Sequence, residues 1–310
     1  MPHQPNITPD LFPDFSKRVL LKYVNEGVDQ VPDVRGQIFK VSPTNEWFNQ
    51  SRSFFGPSLM TETVPGGQHD VTTLAPGGNK TMTAAKYSVV LKWTWEQVKF
   101  QRYDLVNPGR DLGRAEMLTK QVLASQPLLN GFANDSGDPL YEGLDGHALF
   151  STAHPLHGSG GTYSNRVATS IAYSYAGVQE MFDIMAATPD ANGFLTAHSL
   201  KKIVVPQAKQ LISREIFRSE GNPTTSTNAA NVFNGLLTLD DVLHWGILDK
   251  YNTNAWFGFS NMRDLEFFEH TSPPPMTWYD EDTQSFKHNR TILVSFGHWD
   301  WRGAAGSPGV

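Results

Sequence analysis

Two Pro-Gly-Gly triplets, Pro65-Gly66-Gly67 and Pro76-Gly77-Gly78, dominate residues 51–86, and few bulky side chains lie between them. Such a segment buries little apolar area by itself, which leaves two readings, a segment projecting from a body built by the rest of the chain or a floppy surface loop. A long projecting hairpin or loop is predicted. Gly66, Gly67, Gly77 and Gly78 are its hinge candidates, because glycine accepts backbone angles closed to other residues. As plain turn residues they would need no further role.

At Tyr87 the pattern changes. Tyr87, Val89, Leu91, Trp93 and Trp95 alternate with Ser88, Lys92, Thr94 and Glu96, the period-two signature of a strand with one buried face. A helix is predicted near residues 108–130. Pro108 suits its first turn, Leu112, Ala115, Leu118 and Val122 recur at helical spacing, and Pro127 ends or kinks it. Val178, Met181, Phe182 and Met185 mark a second helix that Ser174 can cap. After the short strand Ile203-Val204-Val205, Pro206 opens a third, with Ala208, Leu211, Ile212 and Ile216 on one face. Strand-like runs follow at Leu236–Leu239, Ala255–Phe259, Leu265–Phe268 and Thr291–Trp301, the last with Ile292, Val294 and Phe296 on one face. The class is α+β, with strands outnumbering helices and no internal repeat.

The 310 residues suggest about two domains. With 39% hydrophobic residues the chain can build a substantial core. Only 18% are charged, and the net charge is −6 without a basic block. A sequence-independent DNA binder needs clustered cations to release counterions, so tight nucleic-acid binding is not expected. No cysteine is present, which removes disulfides and thiolate metal sites. Residues 1–14 lack the layout of a signal peptide, and no apolar run approaches the ~20 residues of a membrane span. Folding in the cytosol is expected, which makes Asn-x-Ser/Thr sites such as those at Asn6, Asn79, Asn134 and Asn289 chance occurrences.

The search for chemistry assigns no catalytic residue, metal ligand or cofactor site. His147, His154 and His157 cluster near Asp145 but match no metal-ligand spacing. His69, His244, His270 and His298 are more scattered. Asp240-Asp241 and Asp280-Glu281-Asp282 are sequence neighbours, which does not establish the two acids across a cleft that glycoside hydrolysis needs. Gly158-Ser159-Gly160-Gly161 lacks the Gly-Lys-Ser/Thr ending of a nucleotide loop. The surplus is aromatic, 12% with eight tryptophans. Trp299 and Trp301 could stack on a sugar, but core and interface packing is the favoured use.

Three passages carry a family resemblance. Asp145-Gly146-His147-Ala148-Leu149-Phe150-Ser151-Thr152-Ala153-His154-Pro155 resembles the DG-x-ALF-ST-x-HP passage of Mu-like phage major head subunits. Lys202-Ile203-Val204-Val205-Pro206 resembles their strand-Pro-helix element. Phe296-Gly297-His298-Trp299-Asp300-Trp301-Arg302-Gly303 resembles their G-x-x-DWRG ending. Together they span about half the chain, in matching order and separation.

This resemblance implies the Hong Kong ninety-seven-type phage capsid fold, an α+β architecture. Its parts map here as an extended N-terminal arm (1–50), an extended loop or hairpin (51–90), a peripheral domain with a spine helix near 108–130 (91–164), an axial domain (165–280), and a strand returning to the peripheral domain (281–310). It implies a structural protein, not an enzyme. Copies assemble as pentamers and hexamers into the icosahedral shell of a virion, in the cytoplasm of a bacterial host. The shell encloses double-stranded DNA without gripping it. Scaffold, portal and decoration proteins are the expected partners. The arm is too short for a cleaved scaffolding segment, which points to a separate scaffold protein. Some relatives cross-link a lysine to an asparagine; Lys80 lies in the loop, with no partner identified. The alternatives are an encapsulin-like compartment shell and, further off, a carbohydrate-binding protein.

Overall fold

The computed structural model describes residues 12–55, 60, 62–69, 71, 74–100, 106–132, 138, 140–157, 160–196, 198–223 and 229–309. The chain begins with helices α1 (Phe12–Asp29) and α2 (Arg35–Ile38), then strands β1 (Lys40–Thr44), β2 (Phe48–Phe55), β3 (Ala75–Thr83) and β4 (Ala85–Thr94). Helices α3 (Trp95–Phe100) and α4 (Val106–Leu129) follow, then β5 (His154–Pro155), β6 (Thr162–Tyr163), α5 (Tyr175–Ala186), β7 (Lys202–Pro206) and α6 (Gln210–Arg218). The last part holds β8 (Val242–Trp245), α7 (Gly246–Tyr251), β9 (Trp256–Phe259), β10 (Leu265–His270), β11 (Thr277–Asp280), β12 (Ser285–His298) and β13 (Ala304–Ser307).

Strand β12 organises one sheet. Its C-terminal half pairs with β10, which pairs with β1, and its N-terminal half pairs with β11. Its other edge carries β4 over ten residue pairs, Ser285↔Thr94 to Val294↔Ala85. A four-stranded sheet runs β13-β9-β7-β8. Strand β7 divides the interior by its pleat: Val204 joins the core with Leu123, Phe150, Phe257, Phe267 and Phe296, while Ile203 and Val205 join Val178, Met181, Ile216 and Trp256.

The helix expected near residues 108–130 is α4, with Pro127 in its last turn. Ser174 caps α5 by accepting from the Gly177 N–H at 3.2 Å. Three expectations change. Residues 12–29 of the arm are helical, because Leu20 and Val24 find a buried partner in α4. Leu211 is exposed, because the 3-10 turn at Gln207–Lys209 rotates α6 so that Ser213, Ile216 and Phe217 face inward. Leu236–Leu239 is not a strand: Leu236 closes a turn onto Phe233, and Thr238 and Asp241 box the 3-10 turn that precedes β8. Within the 165–280 span of the expected axial unit, residues 265–280 supply β10 and β11 to the β12 sheet. The β2–β3 pair ends at Thr83; after the buried residue Ala84, β4 belongs to the β12 sheet.

Helices α1 and α4 touch backbone to backbone. A methyl group on Gly113 would lie 2.0 Å from the Val24 carbonyl oxygen, and one on Gly27 would lie 2.1 Å from that of Arg110. Arg110 donates to Glu26 at 2.9 Å, Arg114 to Gln30 at 2.9 Å, and Gln121 to the Pro32 carbonyl at 2.7 Å. An ionic chain continues the seam: Asp33–Arg35–Glu269–Lys120–Glu116–Arg290, every link 3.3 Å or shorter. Burial pushes the Glu269 carboxyl up, but Lys120 and Arg35 outweigh it and hold the group below the usual range. Gly113→Val should therefore detach α1, at a cost of about 1–3 kcal/mol or more from overpacking. Hydrogen exchange checks it: α1 amides should lose protection while the β4–β12 ladder keeps it. Unchanged α1 protection would refute the contact.

Candidate assembly site at the root of the hairpin

Two of the resembling passages meet in space. The Leu144 N–H donates to the Trp299 carbonyl at 2.9 Å, and the Trp299 N–H to that of Asp264 at 3.1 Å. Asn165 ties the same two passages together: its amide donates to Leu149 O at 2.7 Å and Ala304 O at 2.9 Å. Inside this junction His154 is fully buried. Its Nδ1 lies 2.6 Å from Asp145 Oδ2, and its ring stacks on Trp301 with centroids 4.2 Å apart. The ring of Tyr163, directly across the β5–β6 ladder from His154, lies 5.6 Å from the same indole. The Arg302 guanidinium, 4.8 Å from that indole, pairs with Asp300 at 2.9 Å and donates to Pro189 O at 2.9 Å.

The histidine group thus serves packing. His154 is at the centre of the junction, His147 lies edge-on to it at 6.1 Å, and exposed His157 lies tilted against Phe55 of β2 at 3.9 Å. Among the described residues no group of three or more His, Cys, Asp or Glu could hold a metal ion. Trp299 and Trp301 are buried, and Trp299 donates to Glu266 at 2.9 Å, so they offer no open platform to a sugar ring. Asp241 is used as a cap, with its carboxyl lowered by the Thr238 N–H. Asp280 is held at about 2 by Lys287 and Thr283. His270 joins the start of the hairpin to the sheet, donating from Nδ1 to the Glu46 carbonyl at 2.6 Å and pairing with Ser295 at 2.7 Å. His244 pairs with Ser213 at 3.0 Å. The Gly158–Ser159 half of the glycine-rich turn lies outside the described residues, as do Asn6 and Asn134.

Strand β3 brings the hairpin onto this junction. A methyl group on Gly78 would sit 1.6 Å from the Leu144 carbonyl oxygen, and one on Gly77 would sit 2.1 Å from Ser53 Oγ across the β2–β3 pair. These two hinge candidates therefore lie inside a strand where close approach is what requires glycine. Gly66 and Gly67 lie in the turn beyond it. Gly66 has φ +80°, and the Gly67 N–H donates to Val64 O at 2.8 Å. Two residues after Gly78, Lys80 is buried on the face that also carries Met82 and Ala84. Its ammonium donates to Glu142 O at 2.5 Å and Leu140 O at 3.3 Å. Burial lowers its pKa to about 8 against the pull of Glu142, Asp145 and Asp138. His298, also fully buried, is pushed well below its usual range by burial, by Lys80 and by His154. An open cleft of about 500 Å³ lies beside Lys80, bounded by Thr81, Glu142, Asp145 and His157. Sequence reading missed this contact; the signal was a lysine in phase with Met82 and Ala84.

The hairpin exposes what the junction does not bury. Trp47, Phe48 and Phe54 are each more than half exposed, as are Met60, Val64, Val71 and Leu74 towards its far end. No helix among the described residues is long and apolar enough to cross a membrane.

No family model matches the chain, and no curated protein matches it in sequence. Solved structures do. One of Microbacterium phage Oxtober96 is 10% identical, with 89% of this chain and 91% of that chain aligned at a TM-score of 0.56. One of Mycobacterium phage Che8 is 10% identical over the same shares, at 0.54. A virus-like particle from Pyrococcus furiosus is 6% identical over 94% of this chain and 98% of that one, at 0.53. At such identities the likeness is one of fold. The chain has the α+β capsid-type fold that the three passages imply.

Proposed function

We propose that the chain is the major capsid subunit of a tailed phage, a structural protein whose copies close into the head as pentamers and hexamers. The carrying observation is the hairpin: seven large apolar residues stand exposed on a projection whose root is built as firmly as a core. Exposed apolar surface of that extent marks an association surface. In this reading residues 1–50 form the arm, α4 is the spine, and α5 with α6 belongs to the axial unit around the symmetry axes. The hairpin reaches over a neighbour, with Gly66 and Gly67 taking up the small changes of angle between five- and six-membered rings. The net charge of −6 suits a wall that encloses DNA without holding it. Scaffold, portal and decoration proteins are the partners such a shell needs, and the virion, assembled in the host cytoplasm, is its place.

Size-exclusion chromatography and negative-stain imaging test the reading, with the chain expressed alone and with its neighbouring genes. Rings of five and six or closed particles are expected. A lone 34.5 kDa species under every condition would overturn it. The likeness to the Pyrococcus particle favours one second reading, an encapsulin-like shell around protein cargo. Particle contents decide between them, DNA for the first and a cargo enzyme for the second. Excising residues 62–69 should leave the subunit's unfolding midpoint within a few degrees of the parent and abolish closed particles. A subunit that unfolds on this excision would show that the segment belongs to the core.

A further inference from the structure

We propose that Lys80 is the positioning residue of the hairpin: its buried side chain tethers β3 to the Leu140–Glu142 loop and so fixes the hairpin's angle to the body. Two other contacts of β2 and β3 with the body are passive: Gly78 merely permits approach to Leu144, and Phe55 on exposed His157 is a surface contact. Lys80 reaches inward beside Met82, past Gly297 of β12, where even a methyl group would stand 3.1 Å from its Nζ. It donates to two loop carbonyls, those of Leu140 and Glu142, and so bonds the strand to the loop at both ends of a two-residue step. The charged and titratable groups around it are Glu142, Asp145 and Asp138 on the loop and His298 on β12.

A buried ammonium is a tether with a titration. Docked, Lys80 releases its proton near pH 8; undocked in water it would do so near 10.5. The docked state holds the proton more weakly, so docking tightens as pH rises from about 8 towards 10.5 and loosens as pH falls. The gain approaches tenfold per pH unit in the middle of that range. The effect on shell geometry rests on the capsid reading; the tether itself is a property of the single chain.

The test uses the absence of cysteine. Met82 is buried at the root, beside Gly297, so the thiol of a Met82→Cys chain is reached when the hairpin lifts. Its labelling rate, divided by that of a free thiol at each pH, measures docking. Protection is expected to rise about tenfold between pH 7 and pH 9. Adding Lys80→Met should lower protection at least tenfold at pH 9 and flatten its pH dependence. A separate Ala255→Cys chain, probing the core, should stay protected throughout and so excludes global unfolding. Lys80→Met protection equal to the parent's at pH 9 would overturn the tether. That result does not depend on particles: a chain that docks as described but never assembles sinks the shell reading and leaves the tether standing.

Discussion

Trp301→Ala should lower the free energy of unfolding by about 3–5 kcal/mol, the range for emptying a packed tryptophan site. The indole is almost wholly buried and receives the rings of His154 and Tyr163 and the Arg302 guanidinium. Alanine leaves a cavity at the point where the two motif passages meet. Its walls cannot close it, because Asn165 pins the backbone on both sides. Urea unfolding measures the loss, with Trp278→Ala as comparison. Trp278 is over a third exposed, and its removal should cost under about 1 kcal/mol. A loss at Trp301 as small as that would mean the stack contributes nothing beyond shape.

Gly78→Val should have the largest effect on assembly. The new Cβ would fall 1.6 Å from the Leu144 carbonyl oxygen and 2.8 Å from its carbon, and both belong to backbone. No rotamer relieves that, so β3 must leave the loop and carry Phe55 and Lys80 with it. The body should stay folded, since the β4–β12 ladder and the two main cores include no residue of the hairpin. Loss of root contacts should cost about 1–3 kcal/mol, and closed particles should fall below detection by negative stain. Gly66→Val, which removes a turn glycine without touching the body, should permit assembly at reduced yield. Particles from the Gly78 variant indistinguishable from the parent's would show that hairpin docking is irrelevant to closure.

Much of this was legible in the sequence where the information is local. Helix α4 follows from apolar spacing and the two prolines at Pro108 and Pro127, α5 from its Ser174 cap, and β7, β9 and β10 from β-branched and aromatic runs. Features that depend on a distant partner were not. The arm helix α1 is marginal as an isolated segment and becomes stable by lying on the glycine face of α4, some eighty residues on. The alternation in β4 was visible, yet Val89 and Val90 are about half exposed, because the period of a strand reports its two faces and not what covers them. His154 looked like one of several loop histidines, since Asp145 is near in sequence but Trp301 is not. Lys80 was noticed only as a possible cross-linking lysine, its burial hidden by the glycines before it.

Ala84 is the one residue between β3 and β4, which are consecutive lengths of chain, hydrogen-bonded to β2 on the first stretch and to β12 on the second. A pull on the hairpin directed along β4, of the kind a strap between subunits of the proposed shell would feel, loads the ten pairs to β12 in parallel and in shear. They must fail together, whereas a pull across the strand would unzip them singly. The projection that looks most expendable is therefore anchored as a tension member, with its load carried into the central strand of the body.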